Sequence, residues 1–238
     1  MWAMQTNEKI REMRIKVPYS AEASTEVSAL FLRPPDAESL LVLAHGAGAG
    51  MKHPFMSGLA NELAPQRIAT LRYQFPYIEQ KRRAPDRPPV LTATVEAAVA
   101  AAGNAARKLP LFAGGKSLGG RMTSTAASET GALGKVRGLI FFGFPLHPPN
   151  QPGTKRAEHL HRVKLPMLFL QGTRDALADL NLLRPIMKEL GAGATLEVFE
   201  GADHSFHMPK SSDTSDAEML KELAQSVAKW TRKLLYSH

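Results

Sequence analysis

Three separated runs in this 238-residue chain carry residue types able to do nucleophilic chemistry. The sharpest is Gly115-Lys116-Ser117-Leu118-Gly119-Gly120, which follows apolar Leu111-Phe112-Ala113 and precedes a helical stretch. A G-x-S-x-G run in a strand–turn–helix context exposes a serine hydroxyl on a sharp turn. Glycines two residues to either side remove Cβ atoms that would strike the adjoining strand and helix. The serine then sits at the positive end of the helix, where the Leu118 N–H can donate to a developing oxyanion. Gly-Lys-Ser also occurs in phosphate loops, but that motif needs a glycine five residues before Gly115, and Pro110 stands there.

A serine hydroxyl is a weak nucleophile without a base, and the base needs an orienting acid. Gly172-Thr173-Arg174-Asp175 follows the apolar run Met167–Gln171, and Gly201-Ala202-Asp203-His204 follows Thr195–Phe199. Both place a functional side chain just beyond a strand end, in the order serine, acid, histidine. The expected catalytic set is Ser117, Asp175 and His204. Asp203 is adjacent to His204, which makes a directed bond to its ring awkward, and Asp179 stands where a helix begins and reads as a cap. The small-residue run His45-Gly46-Ala47-Gly48-Ala49-Gly50, after the strand Leu40–Ala44, is the expected source of a second backbone oxyanion donor: Ala47, or Gly48 one residue along. It is no dinucleotide loop, because Met51 occupies the place of the third glycine. His45, Gly46, Gly48, Lys116, Arg72, Glu79 and Arg121 are candidates for the substrate pocket. Arg121, one turn into the nucleophile helix, is expected to pair with Glu79 and pin the loop 74–89.

Those residues need a scaffold, and the hydrophobic pattern supplies one. Strands are expected at Met13–Val17 and Val27–Leu32 (with turn chemistry at Pro18-Tyr19-Ser20), Leu40–Ala44, Ala69–Tyr73, Leu111–Ala113, Val136–Gly143, Met167–Gln171 and Thr195–Phe199. Helices are expected at Phe55–Ala64, Val90–Lys108, Leu118–Ser128, Leu177–Leu190 and Asp216–Leu235, the last with Ser212 or Ser215 as N-cap. Regular alternation argues for one α/β domain around a mostly parallel sheet. Gln74–Pro89 and Pro145–Pro166 break it; both follow strands, on the side where open sheets bind ligands. Pro145–Lys164 within the second is expected to form a short lid, whose His159, His161, Lys155, Arg156 and Arg162 suit an anionic substrate or simple exposure.

Composition narrows the alternatives. Thirty Lys+Arg against 22 Asp+Glu give a formal charge of +8, but the one dense basic patch, Lys81 to Arg87, is broken by prolines, so no nucleic-acid partner is expected. The chain has no cysteine, and neither His204/His207 nor His159/His161 has an evident third ligand, so no metal and no cofactor is expected. The N-terminal residues lack a signal-peptide pattern, and the longest oily run is far short of about 20 residues. A cytoplasmic protein acting on a small molecule without membrane or cofactor, and able to form a homodimer, is the expectation.

Taken together, the elbow, Gln171-Gly172-Thr173-Arg174-Asp175 and Gly201-Ala202-Asp203-His204 resemble the α/β-hydrolase fold in family order. The blocks His45–Gly50, Arg72-Tyr73-Gln74-Phe75-Pro76-Tyr77, Gly119-Gly120-Arg121-Met122 and Gly143-Phe144-Pro145-Leu146-His147-Pro148-Pro149 resemble its Tex30/KANL3-type branch, related to dienelactone-hydrolase-like proteins. The resemblance implies an eight-stranded sheet with its first strands antiparallel and a serine triad, and supplies no substrate; the triad itself leads to the expectation of ester or thioester hydrolysis through an acyl-enzyme on Ser117. Some relatives are thought to be non-catalytic parts of assemblies, so an inactive interaction module is the alternative. Serine in place of the dienelactone hydrolases' cysteine means that their substrate does not carry over.

Overall fold

The computed structural model describes residues 10–18, 23–129 and 133–236; Tyr19 and Ser20 of the expected first turn, and residues 1–9, lie outside them. The strands are β1 (Arg11–Pro18), β2 (Ser24–Leu32), β3 (Ser39–Ala44), β4 (Ile68–Tyr73), β5 (Leu111–Lys116), β6 (Val136–Phe142), β7 (Met167–Arg174) and β8 (Ala194–Asp203). The helices are α1 (Pro54–Leu63), α2 (Pro76–Glu79), α3 (Pro88–Ala105), α4 (Leu118–Glu129), α5 (Leu180–Leu190) and α6 (Asp216–Tyr236). One eight-stranded sheet runs in the order β1-β2-β4-β3-β5-β6-β7-β8, with β1–β2 and β2–β4 antiparallel and the other neighbours parallel.

β3 is buried at all six positions, as its unbroken apolar run requires of a strand covered on both faces. One face carries Leu40, Val42, Leu71, Ala113, Leu139, Phe141 and Phe169 under α3, α4 and α5. The other carries Leu41, Leu43, Phe112, Ile140, Phe142 and Leu170 under α1 and α6. Each large side chain so buried contributes roughly 1.5–3 kcal/mol. Helices α1 and α6 meet closely at Gly58, where a Cβ would lie 2.7 Å from Leu220 Cδ1.

Local departures from the sequence pattern have identifiable causes. The irregular stretch 74–89 holds a one-turn helix, α2, opened by Pro76 and stabilised at its first N–H by Asp86, which accepts from Tyr77 N at 2.9 Å. β7 and β8 run on to Arg174 and Asp203 because those two residues pair beyond a register shift at Gly172. α5 starts at Leu180, not Leu177, because Asp179 caps it and Leu177 N is held by Asp175. α6 opens with a capping box in which Ser215 Oγ accepts from Glu218 N and the Glu218 carboxylate accepts from Ser215 N. Within 145–166, Lys155–Arg162 forms a 3₁₀ helix whose Ala157 and Leu160 are buried in the core shared with α4 and α5. No helix among the described residues is long and apolar enough to cross a membrane.

Candidate active site

The chain passes from β3 to β4 on one side and returns to β5 on the other, so the carboxyl ends of β3 and β5 border the point where strand order reverses. Crevices form there in open α/β sheets. Ser117 sits on the turn leaving β5 with φ of 49°, a left-handed conformation unusual for a residue with a side chain. Its N–H donates to Phe142 O at 3.1 Å and its carbonyl accepts from Arg121 N at 3.1 Å, so sheet and helix both hold the strained turn. A Cβ on Gly119 would lie 2.5 Å from Ala44 O, and one on Gly115 2.9 Å from Ala44 Cβ. The glycine spacing read from sequence is thus a packing requirement of α4 against β3.

His204, just after β8, places Nε2 2.9 Å from Ser117 Oγ and Nδ1 2.7 Å from Asp175 Oδ2. A carboxylate only accepts, so the ring hydrogen is on Nδ1 and Nε2 is free to accept from the serine. The Asp175 side chain is fully buried. It is satisfied by Gln171 Nε2 at 2.5 Å and Leu177 N at 2.8 Å, while Gln171 Oε1 accepts from Phe144 N at 3.0 Å. Gln171 was not singled out by sequence reasoning; its signal was a polar residue closing an otherwise apolar strand. The two rival acids are occupied elsewhere. Asp203 Oδ1 accepts from Ser205 N and His207 N, shaping the histidine loop, and Asp179 Oδ1 accepts from Asn181 N at the head of α5.

Lys116 is buried, its Nζ donating to the His204 carbonyl and lying 5.9 and 5.6 Å from the ring centroids of Phe55 and Phe206. Burial pushes its pKa down to about 8, opposed by Asp175 and Asp203. Gly143, another residue with positive φ, leaves room for this arrangement: a Cβ there would lie 3.0 Å from Lys116 Nζ and 3.4 Å from Asp175 Oδ2.

The loop 45–51 is fastened to the segment after β4. Phe75 N donates to His45 Nε2 at 3.1 Å, so the ring hydrogen lies on Nδ1 and goes to Gly46 O at 2.7 Å. Burial pushes His45 down to about 4, which fixes it as neutral. Gly48 N donates to the Tyr77 hydroxyl at 3.0 Å and Met51 N to Gln74 Oε1 at 2.9 Å. Gly48, the alternative oxyanion donor, is therefore committed, whereas among the described residues neither the Ala47 nor the Leu118 N–H meets an acceptor.

A cavity of about 630 Å³ opens beside Ser117 and His204. Gly46, Ala47 and Lys116 line it, with Phe55, Phe206 and Leu220 among its apolar walls. Those walls come from the entrance to α1, the loop after His204 and the first turns of α6, whose Asp216 Oδ2 holds His207 Nδ1 at 2.6 Å. No residue of 145–164, the expected lid, lines it. Sequence reasoning missed this wall; its one signal was the apolar Pro54-Phe55-Met56 directly after the glycine loop.

Of the pocket candidates, Gly46 and Lys116 line the cavity, while His45 and Gly48 brace its loop from behind. Arg72 is only 1% exposed and away from the rim, donating through Nη1 to Met51 O and Ser57 Oγ, so it anchors the entrance to α1. The expected Arg121–Glu79 pair does not form. Glu79 instead binds Arg14 Nη1 at 2.8 Å and Ser28 N at 3.0 Å, because α2 packs on β2, while Arg121 faces the 3₁₀ segment. Among the described residues no three His, Asp or Glu side chains group as a metal site.

A family model described as an alpha/beta hydrolase domain matches residues 37–232. Similar solved structures include a dienelactone hydrolase from Anabaena variabilis, with TM-score 0.70 and 20% identity over 93% of this chain and 96% of that one. An α/β serine hydrolase without lid from Xanthomonas campestris gives TM-score 0.69 at 16% identity, over 93% and 95%. An esterase domain from Rhodothermus marinus gives 0.68 at 14%, over 94% and 98%. At these identities the likeness is one of fold.

Proposed function

Since the chain belongs to the alpha/beta hydrolase domain family, we propose that it is a serine hydrolase cleaving carboxylic esters or thioesters through an acyl-enzyme on Ser117. The observation that carries this reading is the aligned relay Asp175–His204–Ser117, with both contacts under 3 Å. In the proposed first step His204 Nε2 takes the hydroxyl proton as Ser117 Oγ attacks the carbonyl carbon. Asp175 holds the ring in the tautomer that leaves Nε2 free and stabilises the imidazolium. The tetrahedral oxyanion receives the uncommitted N–H groups of Ala47 and Leu118, each worth about 2.7–4 kcal/mol in comparable sites. Collapse expels the alcohol or thiol, protonated by His204; water then attacks the acyl-enzyme with His204 again as base, releasing the acid and restoring Ser117.

The cavity's apolar walls favour a small-molecule substrate over a charged polymer. The sequence blocks that resemble the Tex30/KANL3-type branch support the proposal that the chain falls within it. The test is direct: Ser117→Ala should abolish fluorophosphonate labelling and lower p-nitrophenyl acetate turnover by at least a thousandfold (on the order of measured triad losses). A protein that neither labels nor turns over any of a panel of esters and thioesters is the interaction module instead.

A further inference from the structure

None of the basic residues on the 3₁₀ segment lines the cavity, but the segment packs on α4, the helix that leads away from Ser117. With three residues per turn, Arg156, His159 and Arg162 share one face of Lys155–Arg162. His159 Nε2 lies 2.7 Å from Ser124 Oγ, whose own hydrogen goes to Arg121 O at 2.8 Å. The imidazole is therefore the donor of a structural bond, and it seats that face against the turn of α4 bearing Arg121. Helical side chains lean toward the N-terminus, so Arg121, four residues after Ser117, covers the turn that carries the nucleophile.

Arg121 and Arg156 are both half-buried, and neither forms an ion pair or side-chain hydrogen bond among the described residues. Glu158 on the same segment is exposed and pairs with neither; the nearest ion pair on that segment joins His161 to Glu189 at 3.6 Å. Burial and the neighbouring Arg156 both lower the Arg121 pKa, and burial with Arg121 and Arg162 pushes His159 down to about 4. Half-buried guanidinium groups that crowd one another without an acceptor have lost hydration with nothing in return, a debt an anion would settle.

We infer that the face formed by Arg121, Arg156 and Arg162 is an anion subsite adjoining Ser117, fitted to a phosphate-type dianion carried by the substrate within a few bonds of the reacting carbonyl. Two planar forks on one side suit a group with several equivalent oxygens better than a single carboxylate. The link to a substrate rests on the hydrolase reading; the anion site itself does not.

The 4-nitrophenyl esters of butanoic acid and phosphonopropanoic acid share leaving group and reacting carbonyl and differ in tail charge. The ratio of their kcat/KM values, phosphonate over butanoate, should fall at least tenfold in Arg121→Gln and separately in Arg156→Gln, with Arg121→Lys intermediate and unfolding midpoints confirming that each variant folds. An unchanged ratio in both glutamine variants overturns the inference. Calorimetric titration with inorganic pyrophosphate at about 0.15 M ionic strength reads the site without turnover: Ser117→Ala should bind it, and Ser117→Ala with Arg121→Gln should not. No binding to Ser117→Ala also overturns the inference. Pyrophosphate binding without fluorophosphonate labelling of wild type sinks the hydrolase reading alone, whereas labelling without pyrophosphate binding sinks the anion subsite alone.

Discussion

Lys116 and His45 are buried ionisable groups fixed by direct hydrogen bonds, to the His204 carbonyl and to Phe75 N respectively, and burial moves both toward their neutral forms. Native Lys116 gives up its proton near 8, whereas the unfolded chain keeps it to 10.5. Between those values the unfolded state binds more protons, so this group makes the protein more stable as pH rises, by up to roughly 3 kcal/mol. Lys116→Met should remove the effect. Urea unfolding of wild type relative to the variant should show the difference growing in favour of wild type from about pH 8 to 10; a flat difference would contradict the assignment. His45 acts on the acid side. The unfolded chain takes its proton near 6.5 and the native protein only near 4, so stability is lost as pH falls through that window. His45→Gln should shorten the acid-side loss by up to roughly 3 kcal/mol in the same assay. The meeting of Ser117, Asp175 and His204 was legible in the sequence because each stands just past a strand end, two or three residues after a glycine. The bond of Gln171 to Phe144 N and that of Lys116 to the His204 carbonyl were not, since these partners lie 27 and 88 residues away.

At the scale of elements, the loop 45–51 owes its shape to the segment 74–77 and not to its own glycines alone. Tyr77→Phe removes the acceptor of the Gly48 N–H and frees the loop next to Ala47. The expected result is a stability loss of about 1–2 kcal/mol and an ester kcat that falls by about tenfold while KM changes little, as for a group acting mainly on the transition state. Steady-state kinetics on p-nitrophenyl acetate would show it; an equal rise in KM with kcat intact would place Tyr77 in ground-state binding instead. Strand positions were readable because both faces of most strands are covered, giving short apolar runs without alternation. Arg72 misled for a related reason. A charge near a strand end suggests a rim, but β4 lies beneath α1, and the guanidinium is enclosed by Met51 and Ser57. The α2 turn was hidden among prolines that equally suit irregular chain.

For the whole molecule, the site's walls come from residues 53–56, 204–207 and 216–220, which only tertiary packing of α1 on α6 brings together. No sequence window contains that wall, which is why reasoning along the chain assigned the covering role to 145–164. Because the walls belong to α1, α6 and the short loops that join them to the sheet, and the 3₁₀ segment packs on α4 and α5, the cavity is reached without lifting the 3₁₀ segment. Hydrolysis of a sparingly soluble ester should therefore rise hyperbolically with concentration and show no jump at its solubility limit; a jump would mean that a mobile cover exists. The contact at Gly58 adds a last point. Leu220 belongs both to that contact and to the cavity, so one methyl group added at Gly58 of α1 would be felt inside it. The width of the space beside Ser117 is thus set in part by a helix–helix contact that includes none of Ser117, Asp175 and His204.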